Sequence, residues 1–161
     1  MPFSYVVYKD LYLVVSTGRD CVSWGEIRAC QDQTHVDPDF NAEFDQIVDL
    51  HSVTRFVMTP GQARTLAQRK VFSITSKRAF VAPSPSVFGV GRMWEAFPEL
   101  SDYPSQIGIF RSLPTALRWL GLKKLPASIS SEPARIEAFA LPTRSRDEFS
   151  LRLPAHNDVK A

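Results

Sequence analysis

The chain has 161 residues with 19 lysines and arginines against 17 aspartates and glutamates, which gives a formal net charge of +2 at pH 7. This length suffices for one domain with its own core, and the balanced charge excludes a strongly basic nucleic-acid-binding domain. The two cysteines, Cys21 and Cys30, form neither a metal-binding nor a disulfide pattern, so we expect reduced thiols and neither metal nor cofactor.

The chain opens with two β-rich runs. SYVVYKDLYLVVSTG, residues 4–18, carries Tyr, Val and Leu on both sides of Lys9 and Asp10, which predicts a hairpin whose second strand ends at Gly18. Ser23 and Glu26 then have the spacing of a capping box. They predict a first helix that the Asp-Pro-Asp sequence at residues 37–39 ends.

A buried strand and a second helix follow. The apolar segment IVDL lies within residues 44–56 and predicts a strand that ends near His51. Thr59, Pro60 and Gln62 match an N-cap, a first helical residue and the third helical position, so a second helix is expected to begin here.

The later elements repeat this alternation. AFVA, residues 79–82, predicts a short strand, and a third helix is expected to begin at Ser84 or Ser86. QIGIFR, residues 106–111, predicts a last strand, followed by a fourth helix between Ser112 and Gly121. The order ββαβαβαβα predicts an α/β fold in which helices flank a mixed sheet of four to five strands.

The composition changes after Gly121. Residues 122–161 are rich in Pro, Ser and charge without a sustained apolar period, so we expect a domain over residues 1–121 and a charged tail over residues 122–161. The amino terminus lacks signal-peptide features and no window reaches membrane-spanning length. These features predict a soluble cytoplasmic protein without stable membrane insertion.

The segment FVAPSPSVFGVGRMWEAF, residues 80–97, contains glycines and serines that suggest a phosphate cradle or a nucleophile turn. Gly89 and Gly91 lack the third glycine of a dinucleotide fingerprint, and no Gly-x-Ser-x-Gly sequence is present. The glycines therefore favour close helix packing, while the helix start still offers N–H groups to an anion.

Polar side chains lie at the carboxyl ends of two predicted strands. Ligands of α/β sheets gather at this edge, so Asp49, His51, Ser84 and Ser86 are candidates for one ligand or anion crevice, with Arg92 within reach. An equally weighted alternative for Asp49 is a hydrogen bond to the turn after its strand.

The sequence His-Val-Asp-Pro-Asp at residues 35–39 brings an imidazole and two carboxylates together. The pattern favours a turn around the proline over a metal site, because no other ligand cluster is present in the sequence.

Five segments carry a family resemblance: the opening hairpin, DPDF, IVDLHSV, AFVAPS with FGVGRMWEAF, and IGIFRSLPTALRWLG. Over residues 5–121 the chain resembles the SpoIIAA-like branch of the STAS domains, relatives of bacterial anti-sigma-factor antagonists. The resemblance implies a sheet flanked by helices, no enzymatic activity, and a kinase-like protein partner that phosphorylates a serine at the start of the second helix. Thr59 occupies that place here, without the aspartate and second serine of the antagonists' turn.

Two hypotheses follow for function. The first is a non-enzymatic regulatory module that binds a protein partner or itself through the surface of the first two helices around Thr59. The alternative is a carrier or sensor of a small apolar or lipid-like ligand in a groove of Met93, Trp94, Phe97 and Trp119, since the branch is also likened to a lipid-binding fold. An enzyme acting through the candidate crevice is a third, less favoured hypothesis.

Overall fold

The computed structural model describes residues 2–96 and 106–123, with side chains except at residues 93–96. Its strands and helices follow the predicted order. They are β1 (Phe3–Tyr8), β2 (Leu13–Ser23), α1 (Trp24–Val36), β3 (Asp45–Val57), α2 (Pro60–Ala67), β4 (Lys77–Val81), α3 (Pro85–Ala96), β5 (Gln106–Phe110) and α4 (Leu113–Leu120). Within the described ranges, no helix has the length and apolar character that crossing a bilayer requires.

The five strands form one mixed sheet in the order β1-β2-β3-β4-β5. β1 runs antiparallel to β2, and β2 to β5 run parallel to one another, so the predicted mixed α/β sheet is confirmed. Because parallel strands end at the same edge, α1, α2, α3 and α4 all begin at the carboxyl edge of the sheet.

Two strands are longer than predicted. β2 does not end at Gly18 nor β3 near His51; they continue to Ser23 and Val57. The β2–β3 register shifts twice because β3 carries an extra residue at each shift, and Asp20 adopts a φ of 53°. β1 reaches only Gly18 and β4 pairs only with the first part of β3, so the two extensions form a ribbon beyond the main sheet.

Helices cover both faces of the sheet. On the first face, α1, α2 and α3 pack over a core that includes Ile27, Val48, Leu50, Leu66, Phe80, Val87, Ile107 and Ile109. On the second face, α4 packs over a core that includes Leu13, Val15, Ile47, Ala79, Val81, Leu113, Ala116 and Leu120. Both clusters consist mainly of apolar side chains, which is expected of parallel strands covered on two sides, while Arg78, Gln46 and Ser16 are buried on the first face and Asp49 on the second.

The glycines of α3 differ in their surroundings. A Cβ added at Gly91 would lie 3.1 Å from Ile109 Cγ2, whereas a Cβ added at Gly89 would meet no heavy atom within 4 Å. The predicted close approach of helix and sheet is therefore confirmed at Gly91 and not at Gly89.

The Asp-Pro-Asp segment forms the predicted turn. The Asp39 backbone N–H donates to Asp37 Oδ1 over 2.9 Å, and the Tyr5 hydroxyl donates to Asp37 Oδ2 over 2.9 Å. Lys9 forms an ion pair with Asp39 over 3.0 Å. These carboxylates thus fasten the loop after α1 to the opening hairpin.

Candidate functional site

A surface cleft of about 540 Å³ opens where α1 and α2 leave the ends of β2 and β3. Its lining residues are Ser23, Trp24, Gly25, Arg55, Phe56, Val57, Met58, Thr59 and Gln62. We refer to this set as the carboxyl-edge cleft. The cleft exists because β2 and β3 extend beyond the main sheet as the ribbon. The starts of α1 and α2 therefore also lie beyond the main sheet.

Capping boxes shape both sides of the cleft. At α1, the Ser23 backbone N–H donates to Glu26 Oε2 over 2.7 Å, and the Glu26 N–H donates to Ser23 Oγ over 3.4 Å. At α2, the Thr59 N–H donates to Gln62 Oε1 over 2.9 Å, and the Gln62 N–H donates to Thr59 Oγ1 over 3.2 Å. The predicted helix starts are confirmed, and two N–H groups of each helix are satisfied internally.

The floor of the cleft is apolar. Trp24, Phe56 and Met58 are partly buried and pack against the core of the first face. Val57, the last residue of β3, also lines the cleft and is 50% exposed. An exposed apolar surface of this kind, beside polar cap residues, is typical of an interaction site.

The rim of the cleft carries arginines. Arg55 is exposed, with its Nη2 3.7 Å from Cys21 Sγ. The guanidinium carbon of Arg28, also exposed, lies 5.2 Å from the centroid of the Trp24 ring. The Trp24 indole Nε1 is buried and has no hydrogen-bond partner among the residues that the structure describes. The arrangement offers two exposed cations beside an apolar floor.

Thr59, the predicted phospho-acceptor, lies at the edge of this cleft. Its side chain is exposed and its hydroxyl oxygen accepts the Gln62 N–H, so it acts as the cap of α2. A phosphate at this position would meet a helix start whose third residue is a neutral glutamine rather than a carboxylate.

We expect Thr59→Ala to lower the free energy of unfolding by about 1 kcal/mol, because it removes the side-chain cap of α2. Thr65→Ala is the matched control in the same helix. Thr65 Oγ1 donates to the Gly61 carbonyl over 2.9 Å, a bond whose loss costs the helix little. Urea unfolding measures both; equal stability of the two variants would contradict the capping role.

The predicted crevice residues occupy two faces of the sheet. Asp49 is buried on the α4 face, where it alternates with Ile47, and its Oδ1 accepts the His51 backbone N–H over 3.0 Å. That bond lies within β3 and not in a turn after it, because β3 continues to Val57. Ser84 and Ser86 begin α3, on the opposite face, with their hydroxyl oxygens 3.0 Å apart. Arg92 is exposed on α3. A common crevice for these residues remains a prediction.

The predicted apolar groove falls partly outside the described residues. Phe97 lies outside them, as do the side chains of Met93 and Trp94. Trp119 lies on the α4 face, where its ring centroid is 5.3 Å from that of Phe110, whereas α3 packs on the first face. The structure therefore does not bring Trp119 to α3, and the groove stays a prediction.

The sequence interpretation missed the floor of the carboxyl-edge cleft. The sequence predicts a strand end near His51, so it gives no role to Arg55, Phe56 and Met58. The available signal was the β-branched and aromatic content of VTRFV, residues 53–57, which favours a continuing strand.

Comparison with known proteins reveals a likeness among solved structures. No family model matches the chain, and no curated protein matches it. Among solved structures, it is similar to an uncharacterised protein of the DUF3478 family with a SpoIIAA-like fold from Shewanella loihica. The identity is 12% and the TM-score 0.49, over 73% of this chain and 91% of that one. That fold is the one named by the resemblance; at this similarity the match assigns neither a ligand nor a partner.

Proposed function

We propose that this protein is a non-enzymatic regulatory module that docks a protein partner in the carboxyl-edge cleft. The observation that carries the proposal is the open apolar floor of the cleft, bordered by exposed arginines. A flexible methionine and aromatic rings are the side chains that accommodate apolar groups of a partner.

The charge of the rim selects the chemistry of the partner. Arg55 lines the cleft and Arg28 stacks on Trp24, while the carboxylate of Glu26 accepts hydrogen bonds from both the N–H and the hydroxyl of Ser23. We therefore propose that the docked segment carries an apolar side chain flanked by Asp or Glu. Arginine binds carboxylates through paired hydrogen bonds, which supports this complementarity.

The lining of the cleft supports binding rather than catalysis. Among the described residues that form it there is no histidine, cysteine or carboxylate, and the two hydroxyls, Ser23 and Thr59, serve as helix caps. A nucleophile needs a base within hydrogen-bond reach. The Glu26 carboxylate lies 2.8 Å from the Ser23 hydroxyl, but it also accepts the Ser23 N–H as part of the capping box, so we assign this pair to the start of α1.

Thr59 gives the proposed docking site a means of regulation. A phosphate on its exposed hydroxyl would add negative charge to the edge of a cleft proposed to bind carboxylates. We propose that this modification releases the partner. The supporting observation is that Thr59 and Arg55 line the same cleft.

The experiment compares two exposed valines. Val57 is 50% exposed in the cleft and Val36 is 77% exposed at the end of α1, so replacing either by aspartate should leave the core intact. In affinity purification from the native host, we expect Val57→Asp to reduce recovery of the partner about tenfold, the equivalent of about 1.4 kcal/mol. Val36→Asp should recover it like the unmodified protein. Equal recovery with both variants would refute docking at this cleft.

A further inference from the structure

A buried arginine lies at the centre of the first face, away from the carboxyl-edge cleft. Arg78, on β4, is only 6% exposed. Its Nε donates to Gln46 Oε1 over 2.9 Å, and Gln46 Nε2 donates to Ser16 Oγ over 2.8 Å. This chain of hydrogen bonds crosses three neighbouring strands beneath α1.

The charge of Arg78 is not balanced by the groups around it. Its guanidinium carbon lies 5.1 Å and 5.8 Å from the ring centroids of Phe72 and Phe80, and no carboxylate forms an ion pair with it within residues 2–96 and 106–123. Burial lowers the pKa of Arg78 to about 10, so the group still carries its charge at neutral pH. A buried charge without a counterion is costly for the folded state.

A cavity of about 20 Å³ adjoins this group. Arg78, Ser16, Gln31 and Cys30 are among the residues that line it. Burial raises the pKa of the Cys30 thiol to about 11, so this thiol is neutral at pH 7 and supplies no counter-charge. The volume slightly exceeds the roughly 10–15 Å³ that one water-sized particle needs, which excludes a lipid or nucleotide.

Gln31 supplies a second polar group. It is 8% exposed, and its buried Oε1 has no hydrogen-bond partner in the described part of the chain. A 180° flip of the Gln31 side-chain amide would place its NH₂ group where Oε1 now lies. No existing hydrogen bond to Oε1 would be lost. Ser16 Oγ accepts the Gln46 bond and retains its hydrogen for donation.

We propose that this cavity is a binding site for one small monovalent anion of about the size of chloride. The guanidinium of Arg78 supplies the charge, and the Gln31 amide and the Ser16 hydroxyl supply neutral donors. The bound anion stabilises the folded domain because it balances the charge of Arg78 and accepts hydrogen bonds from Gln31 and Ser16. The proposal is independent of the docking function, since it concerns different residues on the interior of the sheet.

The test measures thermal stability of the full chain when gluconate, which is too large for the cavity, is replaced by chloride at constant ionic strength. We expect the melting temperature to rise with chloride concentration, as ligand linkage requires. Arg78→Met should abolish the rise, whereas Arg118→Met, which removes a charge from an exposed position on α4, should keep it. An identical chloride response in Arg78→Met, or no response in the unmodified protein, would overturn the proposal.

A direct measurement does not depend on variants that fold. A crystal grown in bromide should show an anomalous peak within hydrogen-bond distance of Arg78. A water molecule at that position, without anomalous signal, would overturn the anion site.

Discussion

Gly18→Ala is expected to lower the free energy of unfolding by about 1–3 kcal/mol, the usual cost of overpacking a core. A Cβ added at Gly18 would lie 2.6 Å from Val53 Cγ2, closer than carbon atoms approach, and 3.3 Å from Phe3 Cδ2, a tight contact. Val53 is buried and its branched side chain has few alternative rotamers. The strands must therefore shift at the point where the β2–β3 register changes.

Gly89→Ala is the control for this prediction. The same substitution there meets open space within a helix, where alanine is favoured over glycine by about 1 kcal/mol. We expect it to stabilise the protein, and urea unfolding of the two variants measures the contrast. A Gly18→Ala variant as stable as the unmodified protein would show that the bulged ribbon is not packed as described.

Alkaline pH should destabilise the protein through Cys30. Burial raises the pKa of this thiol from 9.0 to about 11, so the unfolded chain loses its proton at lower pH than the folded domain. The raised pKa contributes stability that is fully present below pH 9 and is lost as pH rises toward 11. A pKa difference of this size corresponds to about 3 kcal/mol of stability.

The measurement is the free energy of unfolding at several pH values from 9 to 11, in a reducing buffer. Cys30→Ala should flatten the decline in this window, although it lowers stability overall by leaving a small cavity. Cys21→Ala is the matched control, because it removes a thiol from a partly exposed position in the ribbon. A decline of the same slope in Cys30→Ala would contradict a buried, protonated thiol as its origin.

Local signals account for the features that the sequence predicted well. Ser23 and Thr59 mark helix starts because the cap and the third helical residue interact within one turn. The hairpin follows in the same way from two β-rich runs around a short polar segment. Each of these signals lies within a few residues and needs no knowledge of the remaining chain.

The missed features depend on contacts between distant segments. The two extra residues of β3 break the alternation of inward and outward side chains, so Ser52 and Thr54 resemble a turn in the sequence.

Arg78 likewise resembles the polar start of a strand. Its burial depends on Phe72, which reaches it from the segment between α2 and β4. No local pattern specifies that contact.

The most direct test of partner docking places a photo-crosslinking amino acid at Val57 of the full chain in its native host, with Val36 as the control position. Both side chains are exposed, at 50% and 77%, so neither probe disturbs the core. We expect one discrete protein adduct from Val57, weakened by Arg55→Glu, and none from Val36. Equal labelling from both positions, or no protein adduct from Val57, would contradict the carboxyl-edge cleft as the docking site.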